Sequence, residues 1–184
     1  MKILAARKYP NPRTGHLSPE QTETRRIAYA IKDPRSPSAD FDTAAREMAA
    51  LIETPCWLVP IPASDGTTRA NTILASAIAR LVATKRGEGG PQPICQIARA
   101  IRRAKPIESQ CARHRRNLPS TPTDAHHLKA TLWSLGHRQV YFVDNVATSG
   151  NTMRAAHAAM NRGAGLVFAA LTRHTPAKPD PTLL

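Results

Sequence analysis

Residues 140–152, Val-Tyr-Phe-Val-Asp-Asn-Val-Ala-Thr-Ser-Gly-Asn-Thr, constrain this chain more than any other stretch. Four apolar residues, Val140 to Val143, predict a short buried strand. Asp144 and Asn145 fall where that strand ends. Ala147, Thr148, Ser149, Gly150, Asn151 and Thr152 then make a small, hydroxyl-rich turn, and Met153 opens an amphipathic helix. A helix start offers unpaired backbone N–H groups and about half a positive charge, which suits a phosphate. Thr148, Ser149 and Thr152 add hydroxyl donors, and Gly150 permits positive φ or close backbone approach. Asp144 is placed to accept hydrogen bonds from ribose hydroxyls. The order predicts a sugar-phosphate site, although a capped βα turn with no ligand uses the same residue types.

The rest of the chain alternates strands and helices. Ser18, with Pro19 and Gln21, forms a capping-box pattern for a helix to about Lys32. A second helix begins near Asp40, with Phe41, Ala44, Ala45, Met48, Leu51 and Ile52 on one face, and Pro55 marks its end. Cys56 to Ile61 reads as a buried strand that Pro60 and Pro62 terminate. After the turn Ala63-Ser64-Asp65-Gly66, a helix carries Leu74, Ala77, Ile78, Leu81 and Val82 on one stripe and stops at Gly87. The glycines and prolines of 89–93 form a loop, Ile94 to Ala98 a strand, and 99–126 a long mobile loop. A weak strand near 128–133, the motif strand and its helix, and a last strand at 166–172 complete the pattern. Such alternation predicts an α/β fold, a twisted parallel sheet flanked by helices.

Composition narrows the function classes. At 184 residues with 41% apolar and 4% aromatic content, the core is built from Ala, Leu, Ile and Val. No apolar run reaches the roughly 18 residues of a membrane span, and the start of the chain is too short an apolar stretch for an export signal. A cytoplasmic location is the expectation. Cys56, Cys95 and Cys111 form no Cys-x-x-Cys pair, which argues against a zinc ribbon or redox motif; Cys56 and Cys95 read as buried thiols. His126 and His127 are adjacent, so their side chains diverge, and no metal role is expected. The net charge of +13 attracts polyanions. It concentrates in Arg99, Arg102, Arg103, Lys105, Arg113, Arg115 and Arg116, making 99–116 a candidate nucleic-acid contact.

The motif at 140–152 resembles the phosphoribosyl-pyrophosphate (PRPP) signature of the type I phosphoribosyltransferases: four hydrophobics, two acids, then apolar, small, Thr, any, Gly, any, Thr. The one departure is Asn145 in the second acidic position. Val59-Pro60-Ile61-Pro62 followed by Arg69-Ala70-Asn71 is similar to the ComF-like competence subgroup, as are Gln110, Arg115-Arg116-Asn117 and Gly163-Ala164. The spacing of Arg69 and Asn71 is one residue tighter than in that subgroup, and the three cysteines leave no place in these residues for its zinc module. The likeness spans about residues 27–174.

The resemblance implies a type I phosphoribosyltransferase fold with a small N-terminal hood at 1–55, a core at 56–174 and a disordered tail at 175–184. It implies that the 5-phosphate of PRPP lies in the Ala147 to Thr152 turn and the ribose against Asp144 and Asn145. Pyrophosphate would meet Ala63, Ser64, Asp65, Gly66 and Arg69. Arg113, Arg115 or Arg116 would neutralise its departure under a closing loop. Mg²⁺ would enter with PRPP, held by substrate and water, with Asp144 the one candidate protein ligand. The base acceptor would meet the hood and residues after the last strand, such as Arg173 and His174, and family members often pair as dimers.

Asn145 divides the functional expectations. A charge about 5 Å from a cationic ribosyl centre is worth roughly 3 kcal/mol, so its loss costs about a hundredfold in rate. One expectation is a transferase moving phosphoribosyl to or from a nucleobase-like acceptor, attenuated by Asn145. The other is a non-catalytic PRPP or nucleotide sensor, or a nucleic-acid-associated component of a DNA uptake, processing or defence system.

Overall fold

The computed structural model describes residues 1–10, 15–85, 95–109, 112–113, 116–131 and 135–171. Expectations for Gly87, the 89–93 loop, Gln110, Cys111, Arg115, Arg173, His174 and the tail lie outside these residues. Five strands form one sheet: β1 (Ile3–Lys8), β2 (Cys56–Pro60), β3 (Cys95–Ile97), β6 (Gln139–Ala147) and β7 (Ala164–Ala170). They lie in the order β1-β7-β6-β2-β3, and every neighbouring pair is parallel. Helices α1 (Pro19–Ala30), α2 (Ser38–Ala49), α3 (Arg69–Lys85) and α4 (Asn151–Met160) flank it. β4 (Ile101–Arg103) and β5 (Leu128–Ala130) make a separate antiparallel ribbon, preceded at β5 by a 3-10 turn over Asp124–His126.

The period-two alternation of a strand divides the core between the sheet's two faces. Tyr141 and Val143 of β6 join Leu166 and Phe168 of β7 under α1, α2 and α3, whose Ile27, Phe41, Met48, Leu74 and Ile78 are buried there. Val140 and Phe142 face the opposite way, with Val167, Met153 and Ala156 of α4 and Ile101 of β4. Strands covered on both faces read as continuous apolar runs, which is why β6 and β7 were legible.

Local signals account for the helix boundaries. Ser18 accepts from the Gln21 backbone at 3.2 Å while the Gln21 side chain accepts from the Ser18 backbone at 2.9 Å, closing the capping box. Two elements differ from the sequence reading. Ile3-Leu4-Ala5-Ala6 is the apolar run of β1, registered with β7 from Ile3 opposite Gly165 to Lys8 opposite Ala170. The N-terminal 55 residues thereby contribute a sheet edge and, through α2, part of the layer packed on α3 and β7. The stretch read as one loop from 99 to 126 contains β4, because Ile101 is buried and the ribbon satisfies its backbone against β5. Among the described residues no helix is long and apolar enough to cross a membrane.

Candidate functional site

A cavity of about 470 Å³ opens beyond the C-terminal ends of β2 and β6, where parallel sheets generally bind ligands. β2 pairs with β6 as far as Pro60 opposite Val143. β6 then continues alone on that side, so Asp144 and Asn145 emerge past the last residue of β2. Pro60 and Pro62 end β2 as their missing N–H groups require. The chain beyond turns through Ala63 to Thr68 into α3.

Three polar side chains tie these ends together. The Asn71 amide, at the start of α3, donates to the Ile61 carbonyl at 2.8 Å and to Asp144 Oδ1 at 3.1 Å. The same Asp144 oxygen accepts the Asn145 backbone N–H at 2.8 Å. Asp144 is half-buried, and burial pushes its carboxyl above the usual range; the Asn145 N–H, Asn71 and the charges of Lys32 and Arg103 partly offset this. Asn145 is buried and turned away from this role. Its amide donates to the Ala28 carbonyl of α1 at 3.1 Å, and its oxygen accepts the Val146 N–H at 2.9 Å.

Arg103 is the cation that closes the other side. Its guanidinium donates to the carbonyls of Ala63 at 2.8 Å and Pro62 at 3.0 Å, and to that of His126. Burial lowers its pKa while Asp144 and Asp65 raise it, and a guanidinium so placed stays charged. The Ile107 N–H donates to the Ser64 carbonyl at 2.9 Å. The turn after β2 is thus held by its oxygens. His126 is buried behind Arg103; burial first, and then the Arg103 charge, lower its pKa.

The turn after β6 enters α4 through Gly150, whose φ of +73° is the left-handed conformation that glycine adopts freely. Gly150 is the N-cap and makes no side-chain cap hydrogen bond. Ser149 Oγ accepts from the Asn151 N–H only at a long 3.4 Å. The hydroxyls are therefore not consumed as an ordinary helix cap, and Thr148, Ser149 and Thr152 line the cavity. Asn151 serves a different end: its amide donates to the Thr121 carbonyl at 2.7 Å, anchoring the segment before the 3-10 turn.

Of the residues singled out in the sequence, Asp144, Asn145, Ala147, Thr148, Ser149, Gly150, Thr152, Ala63, Ser64 and Arg69 border the cavity. Asp65, Gly66 and Asn151 support it from outside the lining. Asp65 accepts the backbone and hydroxyl of Thr67, both at 2.8 Å, which holds its carboxyl low, and Gly66 has a φ of +91°. Arg113 and Arg116 do not line the cavity themselves but pair with Glu108, which does. Arg113 donates to the Pro119 carbonyl at 2.8 Å, and Arg116 pairs with Glu108 at 2.9 Å. Arg115 lies outside the described residues. The residues that sequence reasoning missed are Arg103, His126, Tyr9, Tyr29 and Lys32. Strand alternation across Ile101-Arg102-Arg103 was the one signal that separates Arg103 from its neighbours.

Among the described residues no three His, Cys, Asp or Glu side chains converge as a metal cage. Asp144 and the ion-paired Glu108 are the carboxylates in the lining. No protein-family model and no curated protein matches this chain.

Proposed function

We propose that this chain binds PRPP in the cavity beyond β2 and β6 and transfers its phosphoribosyl group to a nitrogen heterocycle, on a type I phosphoribosyltransferase fold. The carrying observation is the convergence of two sequence-distant turns, Pro62 to Asn71 and Asp144 to Thr152, on one cavity with Asp144 bonded to Asn71 between them. The 5-phosphate would take the N-terminus of α4 and the hydroxyls of Thr148, Ser149 and Thr152. The pyrophosphate would lie along Ala63, Ser64 and Arg69, facing the charge of Arg103. Asp144 would accept from the ribose hydroxyls. In the transfer, the acceptor nitrogen bonds to the anomeric carbon as the bond to pyrophosphate breaks. Bound magnesium would supply charge neutralisation of the pyrophosphate, with Asp144 the candidate protein ligand.

A second reading, a PRPP or nucleotide sensor without turnover, is favoured by the Asn145 amide. It is bonded to Ala28 and supplies no second carboxylate. Calorimetric titration with PRPP and Mg²⁺, followed by pyrophosphate release across a panel of nucleobases, separates the two. PRPP binding with release supports the transferase. Binding with no release for any base leaves the sensor, and no binding at all removes both.

A further inference from the structure

The β4–β5 ribbon has two faces of opposite use. Along β4, Ile101 is buried and Arg103 turns to the cavity, so Arg102 between them points outward and is exposed. Lys129 of β5 is exposed and stands directly opposite Arg102 in the register. The Ala104 N–H donates to His127 at 2.9 Å and the Thr131 N–H to Ala100 at 2.8 Å. That pattern makes Arg102 and Lys129 a hydrogen-bonded pair, with Cα atoms about 5.5 Å apart. Exposed Arg99 and Lys105 flank it on the same segment. Among the described residues none of these four cations has an ion-pair partner.

Like charges directly opposite on an antiparallel pair repel. The arrangement costs stability unless an anion lies across both. The sequence around the ribbon has the same sign: residues 99–138 hold nine Lys and Arg against Glu108 and Asp124, and Glu108 is taken by Arg113 and Arg116. Residues 20–53, by contrast, hold seven acids and five Lys and Arg. Nine Lys and Arg less two acids make +7, so more than half of the net +13 falls in residues 99–138.

We propose that the outer face of the β4–β5 ribbon docks the phosphate backbone of nucleic acid, read without regard to base sequence. Arg102 and Lys129 supply the paired contact, and the exposed Arg99 and Lys105 beyond the ends of β4 add to the local positive charge. The ribbon carries no aromatic side chain for base stacking, so the contact is with phosphates. It exposes no large apolar side chain to enter a lipid surface. This surface lies across β4 from Arg103 and does not depend on the cavity's ligand.

Fluorescence anisotropy with a labelled DNA duplex, titrated from about 50 to about 200 mM salt, tests this. Wild-type chain binds at low salt with affinity that falls steeply as salt rises. The double variant Arg102→Gln, Lys129→Gln binds at least tenfold more weakly at low salt, and its log–log salt slope is shallower by about 1.8. It melts no lower than wild type, since the repulsion is removed. Should that pair fail to fold, Arg99→Gln with Lys105→Gln gives the same reduction. No duplex binding at low salt overturns the proposal. So does an unchanged slope in the ribbon variants, or equal affinity for a polyglutamate peptide.

Discussion

Asn145 illustrates how one atom's partner decides a residue's role. As a sequence letter it is a lost carboxylate. In the fold its amide N–H fastens α1 to β6 through the Ala28 carbonyl, a bond that an ionised aspartate cannot donate. Asn145→Asp would set a carboxylate against that carbonyl in a buried position. The expected loss is about 1–3 kcal/mol of stability, read from the urea midpoint, with no gain in pyrophosphate release. Asp144 carries the opposite balance. Burial raises its pKa, so the folded state favours the neutral acid. That contribution is fully present below the unfolded value near 3.8 and is lost as pH rises through the folded value. Asp144→Asn keeps an acceptor for Asn71 and the Asn145 N–H but removes the buried charge. Its melting temperature should therefore exceed that of wild type by a margin that grows as pH rises above 3.8, while PRPP affinity falls. A margin independent of pH would contradict the buried-charge account.

Elements meet tightly on the α4 side of the sheet. Gly163, between α4 and β7, has a φ of +101°. A Cβ there would stand 2.7 Å from two ring carbons of Phe142 and 3.3 Å from Val140. Phe142 is fully buried in the central strand, so it cannot give way freely. Gly163→Ala should cost about 2–4 kcal/mol in chemical denaturation, combining backbone strain with overpacking. A loss below about 0.5 kcal/mol would mean that β6 or the turn shifts at little cost. The Gly163-Ala164 pair was visible in the sequence beside the last strand. Its reason was not, because the clash is with a residue of another strand.

At the scale of the whole molecule, the cavity brings together two groups with shifted pKa, Asp144 and His126. His126 is buried beside the charge of Arg103, and its pKa is lowered. The neutral ring's contribution is present above the unfolded value near 6.5 and is lost as pH falls through the folded value. The urea midpoint should therefore drop as pH is lowered below 6.5, and His126→Asn should flatten that dependence. An unchanged slope in the variant would assign the acid sensitivity elsewhere. Asp144 works in the opposite sense above 3.8, so the Asp144→Asn and His126→Asn variants change the pH dependence of stability with opposite signs.

The sequence by itself determined the alternation of strands and helices, the parallel sheet, the capping box at Ser18 and the two turns that border the cavity. Each depends on local matters: an apolar run, a proline that cannot donate, a glycine at positive φ. Tertiary structure alone decided three other things. It put Ile3–Lys8 at the edge of the sheet beside β7, by pairing the first strand with the last. It turned Arg103 inward and Arg102 outward, because β4 found β5 across residues 104–127 and acquired a strand's alternation. It gave Asn145 to Ala28, 117 residues away. Contacts at such separations arise from packing and backbone pairing, and no local pattern of side chains encodes which partner will be met.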